Sequence, residues 1–282
     1  MRARRKIRLA TGHVAAGVIL MTLAAALPAA AGTFSYTGSF QLAQGKYFFD
    51  QTTRGLYFFN GFSFTSEVFT LTATIPLIYQ STPYISYSGV GVLPSGGTEG
   101  DLVSRRQRGE VVYLPVPVQV QQFGVGDPLL HAGIRLWKEG PAVPSVTITG
   151  NAKVPLASLE SGFGTGQWDY GAGLSVAKKL GGVFLFADAS YWKLGDLAEL
   201  ELQDPWTYSL ALGFPLSGGK AALLISYLGM TEVIEATVPP SSVGLGLSFK
   251  TGSKSSLLIN GLLGLSESSP DFSISFGWSL GF

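Results

Sequence analysis

The stretch from Gly164 to Asp196 constrains this chain most. It divides into two runs of strict alternation around Leu180-Gly181-Gly182. Before the turn, Trp168, Tyr170, Ala172, Leu174 and Val176 alternate with Gln167, Asp169, Gly171, Gly173 and Ser175. After it, Val183, Leu185, Ala187, Ala189 and Tyr191 form one row, and Phe184, Phe186, Asp188, Ser190 and Trp192 form the other. Period-two alternation places each row on its own face of a sheet. One face is apolar and ends in aromatic residues. The other is small or polar and carries a carboxylate on each strand. A soluble sheet buries such an apolar face under a second layer. A transmembrane barrel turns it to lipid, with aromatics at the interface and the polar row around a lumen.

Composition bears on that choice. Charged residues make up 13% of the chain, about half the usual share for a soluble domain, and 37 residues are glycine. Apolar residues reach 46%, yet beyond the N-terminal segment no apolar run is long enough for a helical span. There is no cysteine, so disulfide and thiolate chemistry are excluded.

Residues 1–31 stand apart. A basic head (Arg2, Arg4, Arg5, Lys6, Arg8) precedes an apolar Val14–Leu27 segment and the small residues Ala29-Ala30-Ala31, the layout of a cleaved secretory signal peptide. Removing it takes the formal net charge from +1 to −4, so nucleic acid is not an expected partner.

The remaining chain, 32–282, reads as one domain. Alternating runs predict twelve strands: 34–42, 55–65, 69–75, 130–136, 146–154, 167–176, 183–192, 206–214, 221–232, 242–250, 255–267 and 271–282. Their connections alternate in length. Short ones lie at Ser66-Glu67, Glu139–Val143, Leu180–Gly182, Ser217–Gly219 and Thr251–Lys254. Longer ones lie at 45–53, 80–126, 156–163, 196–204 and 233–239. Short periplasmic turns against long outer loops, with an even strand count and a terminal aromatic, predict an all-β, antiparallel, up-and-down transmembrane β-barrel of the bacterial outer membrane. The long 80–126 segment contains apolar pieces at 84–92 and 111–120, which predict that part of it folds back onto the barrel or into its mouth.

Several motifs also carry a family resemblance: Gly124-Val-Gly-Asp127, Asn151-Ala-Lys-Val-Pro155, Gly164-Thr-Gly with Asp169-Tyr-Gly-Ala-Gly-Leu174, Gly195-Asp196, and Gly264-Leu-Ser266 with Ser269-Pro-Asp271. In this order and spacing the chain resembles the outer-membrane transporter family associated with the meta-pathway of phenol degradation. The resemblance implies passage of small compounds, hydrophobic or aromatic ones among them.

Chemistry is sparse. Beyond the signal, His131 is the sole histidine, and Asp127 is its nearest carboxylate in sequence. No serine can be assigned as its nucleophile, no carboxylate cluster accompanies it for a metal, and no glycine run opens a phosphate-binding helix. The expectation is therefore no enzyme, no metal and no cofactor. The lumen charges are His131, Arg135, Lys153, Asp169 and Asp188. Lys153 and Asp169 are predicted to stand level on neighbouring strands near the outer end. The charges either neutralise one another or set a transverse field that screens solutes. Phe184, Phe186 and Trp192 form an apolar lumen path or serve as filler. The terminal row Phe276, Trp278, Leu280 and Phe282 faces lipid, and Phe282 resembles the signal read by the outer-membrane barrel assembly machinery. The expected partners are membrane lipid, that machinery and a small-molecule solute. Two roles stay open: a passive channel, and a barrel plugged by its long loop that only binds or supports. An outer-membrane enzyme ranks third.

Overall fold

In the computed structural model the alternating segments pair in sequence order and the sheet closes on itself. Residues 32–47, 52–82, 85–88, 90–94, 121–157, 163–196, 202–234 and 237–282 are described. The signal segment expected at 1–31 lies outside them, as does most of the 80–126 segment. The strands are β1 (Gly32–Gly45), β2 (Thr53–Ser66), β3 (Phe69–Gln80), β4 (Ile85–Ser88), β5 (Gly91–Pro94), β6 (Gln122–Val125), β7 (Leu129–Trp137) and β8 (Ser145–Lys153). There follow β9 (Asp169–Leu180), β10 (Val183–Lys193), β11 (Trp206–Leu216), β12 (Ala221–Met230), β13 (Ser241–Lys250), β14 (Ser255–Gly264) and β15 (Phe272–Gly281). Among the described residues no helix is long and apolar enough to cross a membrane.

Closure comes from β1, which pairs antiparallel with β15 from Ser35 opposite Gly281 to Gln44 opposite Phe272. Thirteen strands share this sheet. β6 and β7 occupy a single place in it. β6 pairs with the outer half of β3, from Leu77 to Gln80, and β7 with the inner half, from Phe69 to Thr74. The barrel therefore has twelve staves. The sequence reading started this stave near Leu130. The structure extends it to Gln122, across a break at Gly126-Asp127-Pro128 where Pro128 has no N–H for the ladder. The barrel strands span 9 residues in β7 to 14 in β1, enough to cross a bilayer when tilted.

Alternation decides which face meets what. Ile134, Leu174, Leu210, Ile225, Leu245, Leu263 and Ile274 are each about half exposed on the outer face. Near one rim this band ends in Trp168, Tyr170, Tyr191, Trp206 and Tyr208, and near the other in Phe34, Trp137 and Phe282. Such a surface would aggregate in water. In a bilayer it is the lipid contact, and the aromatic residues form its interfacial girdles. The rim with short turns, including the Leu180–Val183 hairpin where Gly181 takes φ +60°, is the periplasmic one. The outer rim carries the long connections.

The hairpin β4–β5 belongs to that outer rim. Ile85 pairs with Pro94 and Ser88 with Gly91, and the Gln80 side chain donates to the Ile85 carbonyl at 3.0 Å. Part of the long segment thus folds back onto the barrel, where Ile85 and Val90 leave water. Ile85 is 1% exposed.

Candidate functional site

Two assemblies occupy the interior: a charged cluster at the outer rim and a lumen cavity below the hairpin. The cluster is built on the register between β8 and β9, which sets Lys153 directly opposite Asp169. Lys153 is completely buried. Its ammonium donates to Asp127 Oδ2 at 2.8 Å, Thr165 Oγ1 at 2.7 Å and the Gln167 carbonyl at 2.8 Å. Asp169 Oδ2 lies 3.5 Å away. Asp127 Oδ1 accepts the N–H groups of Leu156 and Ala157 at 3.0 and 2.8 Å, and Asp169 Oδ1 accepts that of Gly195 at 3.1 Å. All three donors of the ammonium are thereby used, as burial of a charge requires.

This cluster gathers motifs that the sequence scatters. Asp127 closes Gly124-Val-Gly-Asp127, Lys153 lies in Asn151–Pro155, Thr165 follows Gly164, and Gly195 precedes Asp196. A Cβ on Gly164 would sit 2.7 Å from both Asp127 carboxylate oxygens, and one on Gly195 would sit 2.3 Å from Gln167 Cβ. The glycines let the described segments 154–157, 163–168 and 194–196 close over the ion pairs. Lys153 and Asp169 do stand level on neighbouring strands. Contrary to charges reached by lumen water, however, they are 0% and 2% exposed. The segments carrying Leu156, Ala157, Thr165, Gln167 and Gly195 exclude solvent from them. The major carboxylate partner of Lys153 is Asp127, which the sequence reading considered only beside His131.

His131 instead meets Asn151, its cross-strand neighbour, with Nδ1 2.8 Å from Asn151 Oδ1. Arg135 lies toward the inner end of β7 opposite Thr147 and is exposed.

The second assembly centres on the inward row of β10. From the inner end outward this row is Phe184, Phe186, Asp188, Ser190 and Trp192. The Phe184 and Phe186 rings stack at 6.3 Å, with the Lys179 ammonium 5.7 Å from the Phe184 centroid. Asp188 stands at mid-height, flanked in register by Ser175 of β9 and Ser209 of β11. The Ser175 hydroxyl donates to Asp188 Oδ1, and that of Ser209 to Oδ2 at 2.9 Å. At the outer end the Trp192 indole lies flat against Gly171, where any Cβ would come within 2.7 Å of the ring.

The roof over this row is the hairpin. Val90 is buried with Trp192, Leu194, Leu202, Val233 and Ile234, and Met230 packs against them. Val92 packs on the opposite side, against the cluster of Ala43, Tyr57, Ile78 and Phe163. Since β1 and β10 face each other across the twelve-stave ring, the hairpin crosses the outer mouth. Beneath it is a cavity of about 400 Å³, bounded by Val90–Val92, Asp188, Trp192, Ser209, Met230 and Ser273 among others. The sequence signalled the hairpin only as an apolar piece of a long loop, and nothing in it indicated the two serines that grip Asp188.

Outside the membrane span, Asp204 fastens the β10–β11 loop. Its carboxylate accepts Lys193 Nζ at 2.9 Å, the Leu194 N–H at 3.0 Å and the Tyr191 hydroxyl at 3.3 Å. Partial burial opposes ionisation of this group. The hydrogen bonds from Lys193 and Leu194 outweigh it and hold the carboxyl below the usual aspartate value.

No protein-family model matches the chain, and no curated protein matches it. Among solved structures it is similar to an outer membrane channel from Pseudomonas putida F1, with a TM-score of 0.60 and 14% identity over 91% of this chain and 97% of that one. The KdgM porin gives a TM-score of 0.48 and 7% identity, over 88% and 99% of the two chains. The CymD monoaromatic hydrocarbon channel gives 0.47 and 9%, over 90% and 89%. At these identities the likeness is one of fold. Together with the lipid-facing band and its girdles, the likeness to the Pseudomonas putida channel identifies the chain as a closed, twelve-stranded β-barrel of the outer-membrane type.

Proposed function

We propose that this barrel is a passive channel for small molecules, hydrophobic and aromatic compounds among them. The observation that carries the reading is the cavity of about 400 Å³ inside the ring, a volume suited to one small solute. Its wall combines Trp192 with hydroxyls and the carboxylate of Asp188, and the same inward row continues below it through Phe186 and Phe184. Of the lumen charges expected to screen solutes, Asp188 borders the cavity, while His131 and Arg135 lie on the β7 wall. Lys153 and Asp169 contribute to selectivity only through the loops they fix.

The likeness in fold to a channel is consistent with this reading, as is the resemblance to the phenol meta-pathway transporters, whose membership we retain as part of the proposal. Export by residues 1–31 and insertion by the barrel assembly machinery complete it. A catalytic role has little to draw on. His131 is engaged by Asn151, and Asp127 is turned to Lys153.

One observation favours a second reading, a plugged barrel: the hairpin bridges both walls through Val90 and Val92. Planar-bilayer recordings of the purified protein separate the two. We expect small, stable conductance steps from the unaltered chain and larger ones when 86–93 is replaced by a Gly/Ser linker. Steps from the linker variant alone support the plug. Silence from both overturns the channel.

A further inference from the structure

The channel reading leaves open what the cavity prefers, and its charge pattern answers that. Among the described residues lining it, Asp188 is the only one with a charged side chain. The groups around it are hydroxyls and amides, including Ser190, Thr207, Ser209, Ser273 and Gln41. Each Asp188 oxygen accepts one serine hydroxyl, from Ser175 or Ser209. A carboxylate offers about four lone-pair sites, so roughly two remain for a ligand. Neither serine brings a positive charge.

The described cations of the lumen form no ion pair with Asp188. Arg135 shares its cross-strand row, three strands away through Thr147 and Ser175. Lys153 is saturated by Asp127, Thr165 and Gln167. Lys179 sits over Phe184 at the inner end, four residues down the strand from Ser175, or about 13 Å along it at the usual rise per residue. That exceeds the distance over which exposed charges act strongly through salt water. A negative charge at mid-membrane depth, aimed into a cavity with no counter-charge among its described lining residues, calls for a cation.

The apolar side of the cavity specifies the rest of the ligand. Trp192 lies two places above Asp188 in the same inward row, and Met230 and Val90 stand in the roof beside it. Indole is the best aromatic partner for a cation and also accepts an apolar body. We therefore infer that the cavity beneath the hairpin is a binding site for a small organic monocation with an apolar body, its ammonium on Asp188 and its apolar part toward Trp192. The inference rests on the channel reading for how a solute arrives, but not for whether it binds.

The test uses three probes of one shape: phenethylammonium, 2-phenylethanol and phenylacetate. Calorimetric titration into the detergent-purified barrel is expected to rank them ammonium, alcohol, carboxylate. Asp188→Asn is expected to weaken ammonium binding at least ten-fold with little effect on the alcohol, and Asp188→Glu to restore much of it. Equal binding of ammonium and alcohol, no change in Asp188→Asn, or no binding at millimolar probe overturns the site. Reversal potentials in a salt gradient then address the channel separately. Cation preference lost in Asp188→Asn supports both readings. Asp188-dependent binding by a barrel that conducts nothing keeps the site and overturns the channel. Conductance without Asp188-dependent binding keeps the channel and overturns the site. A retained boiling-dependent gel shift shows that each variant is folded.

Discussion

Lys153 and Asp127 are 26 residues apart in sequence and 2.8 Å apart in the barrel, and neither side chain is exposed to solvent. Their ion pair ties the break in the β6–β7 stave to the last residue of β8. Through the Leu156 and Ala157 N–H groups it also ties the loop that follows. Removing one partner of a buried pair leaves an uncompensated charge and costs about 3–5 kcal/mol. Lys153→Met and Asp127→Asn are expected to lose stability on that scale. Asp169→Asn should lose clearly less, because Asp169 Oδ2 makes no hydrogen bond and lies 3.5 Å from the ammonium. Reversible urea unfolding in lipid vesicles, followed by tryptophan fluorescence, measures the ranking. Equal losses at all three positions would show that this geometry does not decide the stability of the rim.

The architecture was legible in the sequence because its cause is local. Inward and outward rows such as Phe184–Trp192 and Val183–Tyr191 follow from a period of two, and the rims follow from connection length. The level of Lys153 with Asp169 could be read from the same register. Their burial could not, since it depends on segments 154–157, 163–168 and 194–196 folding over the strand ends. Such long-range closure leaves only glycines as a trace, here Gly164 and Gly195, whose missing side chains make room for Asp127 and Gln167. The hairpin β4–β5 was hidden for a related reason. A four-residue strand packed across a lumen has no repeating pattern, only apolar residues such as Ile85, Val90 and Val92 in a segment too long for a simple turn.

Trp192 depends on a glycine in the same way. Its indole occupies the space above Gly171 on the neighbouring strand, and an added Cβ would meet ring carbons at 2.7 Å. Backbone cannot yield easily within a ladder, so the ring must move toward the lumen. Gly171→Ala is expected to destabilise the barrel by about 1–3 kcal/mol through overpacking. It should also reduce single-channel conductance, since the displaced ring enters the cavity. Urea unfolding and bilayer recording read the two effects. Unchanged conductance with lowered stability would place the solute path away from Trp192.

The loop closed by Asp204 should respond to acid. Its carboxyl is held below the usual aspartate value by hydrogen bonds that outweigh partial burial. A group with a depressed value in the folded state stabilises fully above its unfolded value, about 3.9 for aspartate. That contribution is lost as pH falls through the lower folded value. Protection of the Leu194 amide against hydrogen exchange, corrected for the intrinsic rate, should hold from neutral pH to about pH 4 and fall several-fold below it. Asp204→Asn should show the low protection throughout. The same pH dependence in Asp204→Asn would assign the transition to another group.

Phe282 stands at the inner rim, and two roles for it can be separated. Its N–H donates to the Phe34 carbonyl at 2.8 Å, and its own carbonyl accepts Lys254 Nζ at 2.8 Å, so it fastens the seam between β1 and β15. Its side chain is 69% exposed, facing lipid. Full burial of a phenylalanine in an apolar medium is worth about 1.5–3 kcal/mol, which sets the scale of the packing loss. Deletion of Phe282 is expected to leave refolding into detergent intact, with a modest drop in stability. If the terminal aromatic is also the mark read by the assembly machinery, the amount of heat-modifiable barrel in cell outer membranes should fall much further than that drop explains. Phe282→Tyr, which keeps the terminal aromatic ring, should restore it. Matching losses in cells and in detergent would confine Phe282 to packing and to closing the seam.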